Sequence, residues 1–285
     1  MTAHPAVAAV AALTGRAAAS ARPLGGHLFV VELVEGGALV AKRHSDPRAV
    51  LAEVTSLEWL AAASAVRVPA VLGSDQNWMI MERVDDGRPS AGAAEALGRG
   101  LARLHRAGAP AFGAPPPGGP VDAYIGNAAM RNEPGADWPS WYAAHRVEPY
   151  LRRAVDGGLL DAAGARAIGT VCERITELAG PVEPPARLHG DLWSGNVLWA
   201  GEAWLIDPAA HGGHRETDLA MLQLFGCPHL DRVLGAYHET APLAAGWRAR
   251  VPLHQLFPLL VHVVLFGGGY PAQAVAAARA ALALS

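Results

Sequence analysis

The pattern of apolar and polar positions changes character near Val84. Before it, short β-rich runs alternate with helical ones. Residues 3–20 are predicted as a helix. "HLFVVELVEG" and "GALVAKRH" read as two strands meeting at Gly36-Gly37, which predicts a hairpin, with "RPLGGH" as a tight turn just before it. "PRAVLAEVTSLEWLAAAS" has apolar residues at helical spacing and a proline at its first position. "VRVPAVLGSD" and "NWMIMERV" then read as strands.

After Val84, "DDGRP" is a polar turn and the pattern becomes helical. "AAEALGRGLARLHRAG" predicts an amphipathic helix stopped at Gly108. "APAFGAPPPGGPVDAYIGN" carries too much proline and glycine for regular structure and is predicted as a loop. "DWPSWYAAHRVEPYLRRAVDGG" and "DAAGARAIGTVCERITELAG" read as helices. The chain is helical again after "AWLIDPAAHGG". No internal repeat is present. The predicted class is α+β: a small β-rich N-terminal lobe over 1–84, a linker near 82–90 and a larger, mostly helical lobe over 85–285.

Composition narrows the function classes. The 285 residues suffice for two packed lobes. A net charge of −3 gives no reason to expect nucleic acid or an anionic membrane as partner. The most apolar stretch, Leu253 to Phe266, is broken by polar residues and proline and reads as a buried helix rather than a membrane span. No basic stretch precedes the apolar N-terminus, so no signal peptide is expected. Two distant cysteines and twelve scattered histidines offer neither a disulfide framework nor zinc spacing. A cytoplasmic location is expected; the oligomeric state is not legible.

Candidate chemistry concentrates in "RLHGDLWSGNVLW". Asp191 opens a loop, Asn196 closes it and "VLW" leaves as a strand. A second strand, "AWLI", delivers Asp207 at its end, so a hairpin brings Asn196 and Asp207 together. An amide oxygen beside a carboxylate is a hard oxygen site suited to Mg²⁺, and Asp191 is left free as a base. That is the layout of phosphoryl transfer from ATP. His189-Gly190-Asp191-Leu192 through Asn196 follows the kinase catalytic-loop spacing H-R-D-L-x-x-x-N, with glycine in place of arginine. Lys42, late in a strand, is the candidate phosphate-binding lysine. Glu53 on the next helix is its candidate partner, with Glu58 as competitor. Gly25 and Gly26 form the candidate nucleotide-covering turn. Met81, Glu82, Arg83 and Val84 form the candidate hinge for the adenine edge.

HGDLWSGN, followed by "IDPAAHGGHRETDLAM", resembles the fructosamine-3-kinase (ketosamine-3-kinase) family, whose hallmark is the tryptophan after the D-L pair. "AEVTSLEWL", "LARLHR", "DAYIGN", "DWPSWYAAHRVEPYLRRA" and "LFGGGY" agree with it, so the likeness covers nearly the whole chain. It implies a bilobal protein-kinase-like fold, near the aminoglycoside and choline phosphotransferases. It implies an ATP- and Mg²⁺-dependent kinase for the 3-hydroxyl of ketoamines, sugar adducts of a lysine or other amine. Carried onto this chain, it makes Asp191 the base, Asn196 and Asp207 metal ligands, and Lys42 with Glu53 the phosphate-binding pair. Pro208 stands where protein kinases carry the phenylalanine of D-F-G. Trp193 and His262 are candidate substrate contacts. The chain departs from the family at His27 and Leu28 in the short glycine turn, and at Val261, where an asparagine often precedes the histidine.

Plainer roles are predicted for other polar residues. His189 is expected to be a buried brace for the loop, Asp218 a helix cap or second brace, and Trp138 and Trp141 core residues. His211, His214 and Arg215 either contact phosphate or substrate or are solvated. Two other functions fit the same motifs less well: an aminoglycoside- or choline-type phosphotransferase, and a nucleotide-binding module without turnover.

Overall fold

The computed structural model describes residues 4–283. Helix α1 (Pro5–Thr14) is followed by strands β1 (Ala18–Gly25), β2 (Leu28–Leu33) and β3 (Ala38–Arg43), helix α2 (Pro47–Ala62), and strands β4 (Val71–Ser74) and β5 (Trp78–Glu82). The strands form one antiparallel sheet in the order β1-β2-β3-β5-β4. Period-2 alternation sorts its two faces. Val31, Leu39, Ala41 and Ile80 pack against Ala6 and Val10 of α1. Val40, Met79 and Met81 pack against Val50, Val54 and Leu57 of α2. Lys42 is two residues beyond Val40, so its side chain leaves the sheet on the α2 side.

The N-terminal helix is shorter than its composition suggests. Gly15, at φ 70°, caps α1 in the left-handed conformation, and residues 18–25 are strand rather than helix. Alanine-rich "AASA" has helical propensity, but pairing with β2 overrides it. The first residues of the predicted helix range partly lie outside those described.

Helix α3 (Ala91–Arg106), capped by Ser90, begins the helical part. A hairpin of β6 (Asp122–Ile125) and β7 (Ala128–Arg131) follows, inside the segment predicted as loop. Helix α4 (Trp138–Tyr142), a π-helical turn at Ala143–Val147, and helices α5 (Glu148–Asp156), α6 (Ala162–Glu173) and α7 (Ile175–Leu178) come next. Strands β8 (Ala186–Leu188), β9 (Val197–Ala200), β10 (Glu202–Leu205) and β11 (His211–Gly213) make two small antiparallel pairs, β8 with β11 and β9 with β10. Helices α8 (Arg215–Leu224), α9 (Leu230–Thr240), α10 (Trp247–Phe266) and α11 (Tyr270–Leu282) complete the chain.

Two cores hold this half together. Leu97, Leu101 and Leu104 of α3 meet Val233 and Tyr237 of α9 and Leu192, Val197 and Leu205 around the β9–β10 hairpin. Trp138, Trp141, Tyr142 and Tyr150 meet Leu253, Leu256, Phe257 and Leu260 of α10. Among the described residues α10 is the one helix long and apolar enough to cross a membrane. Its apolar side is instead buried in this core.

Candidate active site

The loop between β8 and β9 is fixed by buried polar groups. Asp218, in the first turn of α8 and 1% exposed, accepts from the backbone N–H of His189 (2.8 Å) and of Gly190 (3.0 Å). His105 Nε2 lies 3.2 Å from the same carboxylate, and Tyr237 Oη lies 2.8 Å from His105 Nδ1. Burial pushes the Asp218 pKa up, but His105, His189 and the Gly190 N–H more than reverse this and hold it below the usual value. His189 is fully buried, accepts from Asp191 N–H at Nδ1 (3.3 Å) and places Nε2 3.0 Å from Ile206 O. One neutral tautomer, with its proton on Nε2, satisfies both contacts. Gly190 is at φ 85°, and a Cβ there would collide with Ala209 O, so the arginine of the protein-kinase spacing has no room.

The loop turns tightly: Trp193 N–H donates to Asp191 O (3.1 Å) and Asn196 N–H to Trp193 O (2.9 Å). Asn196 Nδ2 donates to Asp191 O (2.8 Å) and Asp191 Oδ2 (3.2 Å). That leaves Asn196 Oδ1 without a partner among the described residues. Ile206 N–H donates to Asn196 O (3.1 Å), so the β9–β10 hairpin sets Asp207 beside Asn196. Asp207 adopts φ 51°, a left-handed conformation that Asp tolerates better than most residues. Its Oδ1 accepts from Lys42 Nζ at 2.9 Å.

Lys42 joins the two halves of the site. Nζ donates to Glu53 Oε1 (2.8 Å) as well as to Asp207. Glu53, not Glu58, is the partner: Glu53 is 7% exposed, whereas Glu58 faces solvent. His44 Nε2 lies 3.0 Å from Glu53 Oε2. Burial opposes the Lys42 charge, but Glu53 and Asp207 outweigh it and hold its pKa above the ordinary value. Burial likewise pushes Glu53 up, and Lys42 and His44 bring it below the ordinary carboxylate value. Asp191 has no cation in contact among the described residues. Burial, with smaller contributions from Asp207 and Asp218, pushes its pKa up to about 7 despite the Asn196 hydrogen bond.

These groups share a cleft of ≈ 690 Å³. Lys42, Glu53, Asp191, Asn196 and Asp207 line it, Gly25 and Gly26 flank it from the β1–β2 turn, and Trp193 and His262 stand on its wall. Trp193 is 38% exposed, and its ring lies over Gly195, where any Cβ would strike it. The ring meets Phe225 edge-on at 6.0 Å, and Phe225 lies 4.8 Å from the His262 ring.

The predicted hinge does not line this cleft. Met81 packs into the sheet–α2 core, Glu82 Oε2 accepts from Ala70 N–H (3.3 Å), and Arg83 pairs with Asp85 (2.5 Å). The Glu82 N–H is occupied by Ala70 O, whereas the Val84 N–H has no partner among the described residues. Any adenine contact from this segment is therefore a backbone contact. His211 and His214 are neither solvated nor in the cleft: they are 2% and 3% exposed, in β11 and at the α8 cap. Arg215 pairs with Glu183 (2.5 Å). The sequence reading missed Tyr124 and Asn132, which enter the cleft from the β6–β7 hairpin. The alternation in "DAYI" and "AAMR" was the available signal, hidden by surrounding proline and glycine.

Comparison with known proteins bears on this geometry. The family model described as fructosamine kinase matches residues 39–283, which includes every catalytic-loop residue above. The chain belongs to the fructosamine kinase family. A solved structure from Thermobifida fusca YX-ER1 that carries the fructosamine-3-kinase name is 49% identical. It superimposes with a TM-score of 0.92 over 98% of this chain and 99% of that one. A curated Synechocystis protein named "Probable ketoamine kinase" is 35% identical over 78% of this chain and 75% of its own length. An aminoglycoside phosphotransferase solved with streptomycin and ATP is only 14% identical but shares the fold, with a TM-score of 0.63 over 98% of this chain and 97% of that one. The fold is thus the α+β, protein-kinase-like one expected. As a fructosamine kinase family member, the chain is an ATP-dependent phosphotransferase with a hydroxyl group as acceptor.

Proposed function

We propose that the protein phosphorylates the 3-hydroxyl of ketoamines such as fructosamines or ribulosamines, a deglycation repair reaction. The observation that carries this reading is the joint placement of Asp191, Trp193 and Lys42 in one cleft. Asp191 orients the acceptor hydroxyl and takes its proton. With a pKa near 7 it is ionised in a large fraction of molecules at neutral pH, yet basic enough to accept a proton. Trp193 offers a flat, half-exposed face beside the base, suited to a sugar ring and to the adjacent protonated amine. Lys42, held by Glu53, stabilises phosphate charge.

The donor set fits Mg²⁺. Asn196 Oδ1 and the second oxygen of Asp207 are hard donors on residues lining the same cleft, and neither has a protein partner among the described residues. These two residues would hold the ion, which when bound neutralises phosphate charge. The β1–β2 turn at Gly25-Gly26 covers the nucleotide, and of the Met81–Val84 segment the Val84 N–H, open among the described residues, receives the adenine edge. His262, whose Nδ1 lies 2.8 Å from Pro258 O, completes the acceptor wall. The lobes divide at 84/85, at the polar turn before α3. The substrate is a small-molecule or peptide-linked ketoamine, with neither nucleic acid nor membrane as partner, in the cytoplasm.

The test is ADP release with Mg·ATP against a fructosamine, a ribulosamine, an aminoglycoside and choline, with the product's phosphate position read by NMR. Release with a ketoamine and a 3-phosphate product is expected. Release only with an aminoglycoside or choline overturns the substrate assignment.

A further inference from the structure

The cleft contains a buried amide that the reaction as described leaves unused. Asn132, just beyond β7, is 1% exposed yet lines the cleft. Its Oδ1 accepts from Arg146 Nη2 at 2.8 Å. Its Nδ2 hydrogens have no partner among the described residues. An NH₂ group held rigidly on a buried residue and open only to the cleft is placed to donate to an acceptor on the ligand.

Arg146 fixes that orientation. It is 1% exposed, with no carboxylate in contact among the described residues, and burial lowers its pKa to about 10, so it stays charged at neutral pH. It lies over the rings of Trp141 (4.5 Å) and Phe257 (5.5 Å) and donates to Arg131 O (2.8 Å) and His145 O (3.2 Å). The π-helical turn at Ala143–Val147 delivers it. Pro149 has no N–H to offer His145 O, and Glu148 N–H reaches back to Ala143 O. The freed His145 carbonyl is then taken by Arg146 itself. A guanidinium on Oδ1 excludes the flipped amide and polarises the Nδ2–H bonds.

We infer that Asn132 binds the acceptor substrate, its Nδ2 donating to an oxygen of the sugar, and that Arg146 is the positioning residue that holds it so. The inference rests on the ketoamine reading above. Asn132 follows the β6–β7 hairpin, which carries Tyr124 and Met130 along the same cleft wall, whereas the phosphate-facing groups come from Lys42 and the β9–β10 hairpin.

The experiment compares wild type, Asn132→Asp and Asn132→Leu by steady-state kinetics, with thermal melting as the control for folding. Turnover of the ketoamine by wild type comes first; its absence would refute the function reading itself and this inference with it. Asn132→Asp keeps the acceptor for Arg146 and so melts no lower than wild type, but loses the donor. Its KM for the ketoamine is expected to rise by up to about tenfold, the worth of one good hydrogen bond, and by less where the contacted oxygen is a hydroxyl that can donate to the new carboxylate, with KM for ATP unchanged. Asn132→Leu is expected to raise the acceptor KM at least as much. A monodeoxyfluoro ketoamine at the contacted position, whose fluorine accepts but cannot donate, is tolerated by wild type and rejected by Asn132→Asp. Adding Arg146→Met to Asn132→Leu removes the unpaired buried charge, so melting recovers relative to Asn132→Leu while the acceptor KM does not. Wild-type acceptor KM in both single variants, or a rise in KM for ATP instead, overturns the inference.

Discussion

Lys42 Nζ stands 2.8 Å from Glu53 Oε1 and 2.9 Å from Asp207 Oδ1, so one ammonium ties helix α2 to the end of the β9–β10 hairpin. Strand alternation aims Lys42 at α2, and the hairpin brings Asp207 to meet it. Replacing Lys42 by alanine is expected to lower kcat about 10²–10³-fold, as for loss of one charge-stabilising donor. It also leaves Glu53 buried without its main counter-ion. Glu53→Gln keeps a neutral acceptor for Lys42 and should cost less. Steady-state rates of both variants, with circular dichroism to confirm folding, check the order; equal losses would contradict it.

Asp218 does not line the cleft but holds the backbone N–H groups of His189 and Gly190 and faces His105. Asp218→Asn presents an amide that can accept from fewer of these donors. Leaving one buried donor unpaired is expected to cost about 1–3 kcal/mol of stability, and the loosened loop should lower kcat as well. Urea unfolding together with kcat reads both. A variant that loses stability alone would make Asp218 a fold residue only.

Gly195 accommodates the Trp193 ring, which any Cβ at that position would strike. Gly195→Ala should therefore displace Trp193 and raise the KM for the acceptor while leaving the KM for ATP within about twofold, a change below ~0.5 kcal/mol. Kinetics at saturating ATP and at saturating acceptor separate the two. A rise confined to ATP would place the ring on the nucleotide side.

Stability should fall in acid through the buried histidines, opposed in part by Asp191, whose carboxyl, raised from 3.8 to about 7, contributes stability that grows as pH falls from about 7 toward 3.8. Burial holds the neutral forms of His189, His211 and His214, and pushes His211 down to about 3. Between the unfolded value of about 6.5 and that folded value, the unfolded chain binds a proton the folded chain refuses. For His211 the stabilisation is full above about 6.5 and is lost as pH falls toward about 3, by up to about 1.4 kcal/mol per pH unit; His189 and His214 act in the same direction. Glu216, held at about 2 against the opposing effect of burial by His254 and Arg250, adds its loss only at lower pH. Unfolding free energies at pH 7, 6 and 5 should show this slope, and His211→Asn should flatten it. Parallel profiles would contradict the buried-neutral reading of His211.

The parts of this site read most easily from sequence are those where one residue type at one spacing suffices to place the side chain. Asp191, Asn196 and Asp207 are set by a loop and a short hairpin, so local spacing suffices. Lys42 and Glu53 follow from strand alternation and helix phase. What escaped depends on tertiary pairing. Ala18–Gly25 has helical composition and becomes strand because β2 offers it a partner. Asp122–Arg131 hides a hairpin among prolines and glycines. Asn132 acquires its place only through Arg146, and nothing local marks that pair. His211 and His214 looked like loop residues because burial under Trp138 and Trp141 is not visible in their own segment.

The most direct test of the account is the turnover of Asp191→Asn with Mg·ATP and a ketoamine that wild type accepts. Asparagine preserves the shape of the loop and removes the base. The account predicts ketoamine-dependent ADP release reduced at least about 10²-fold, the lower end for loss of general-base catalysis, with ATP binding and melting temperature retained. Wild-type turnover in that variant would contradict it, and Asp191 would not be the base.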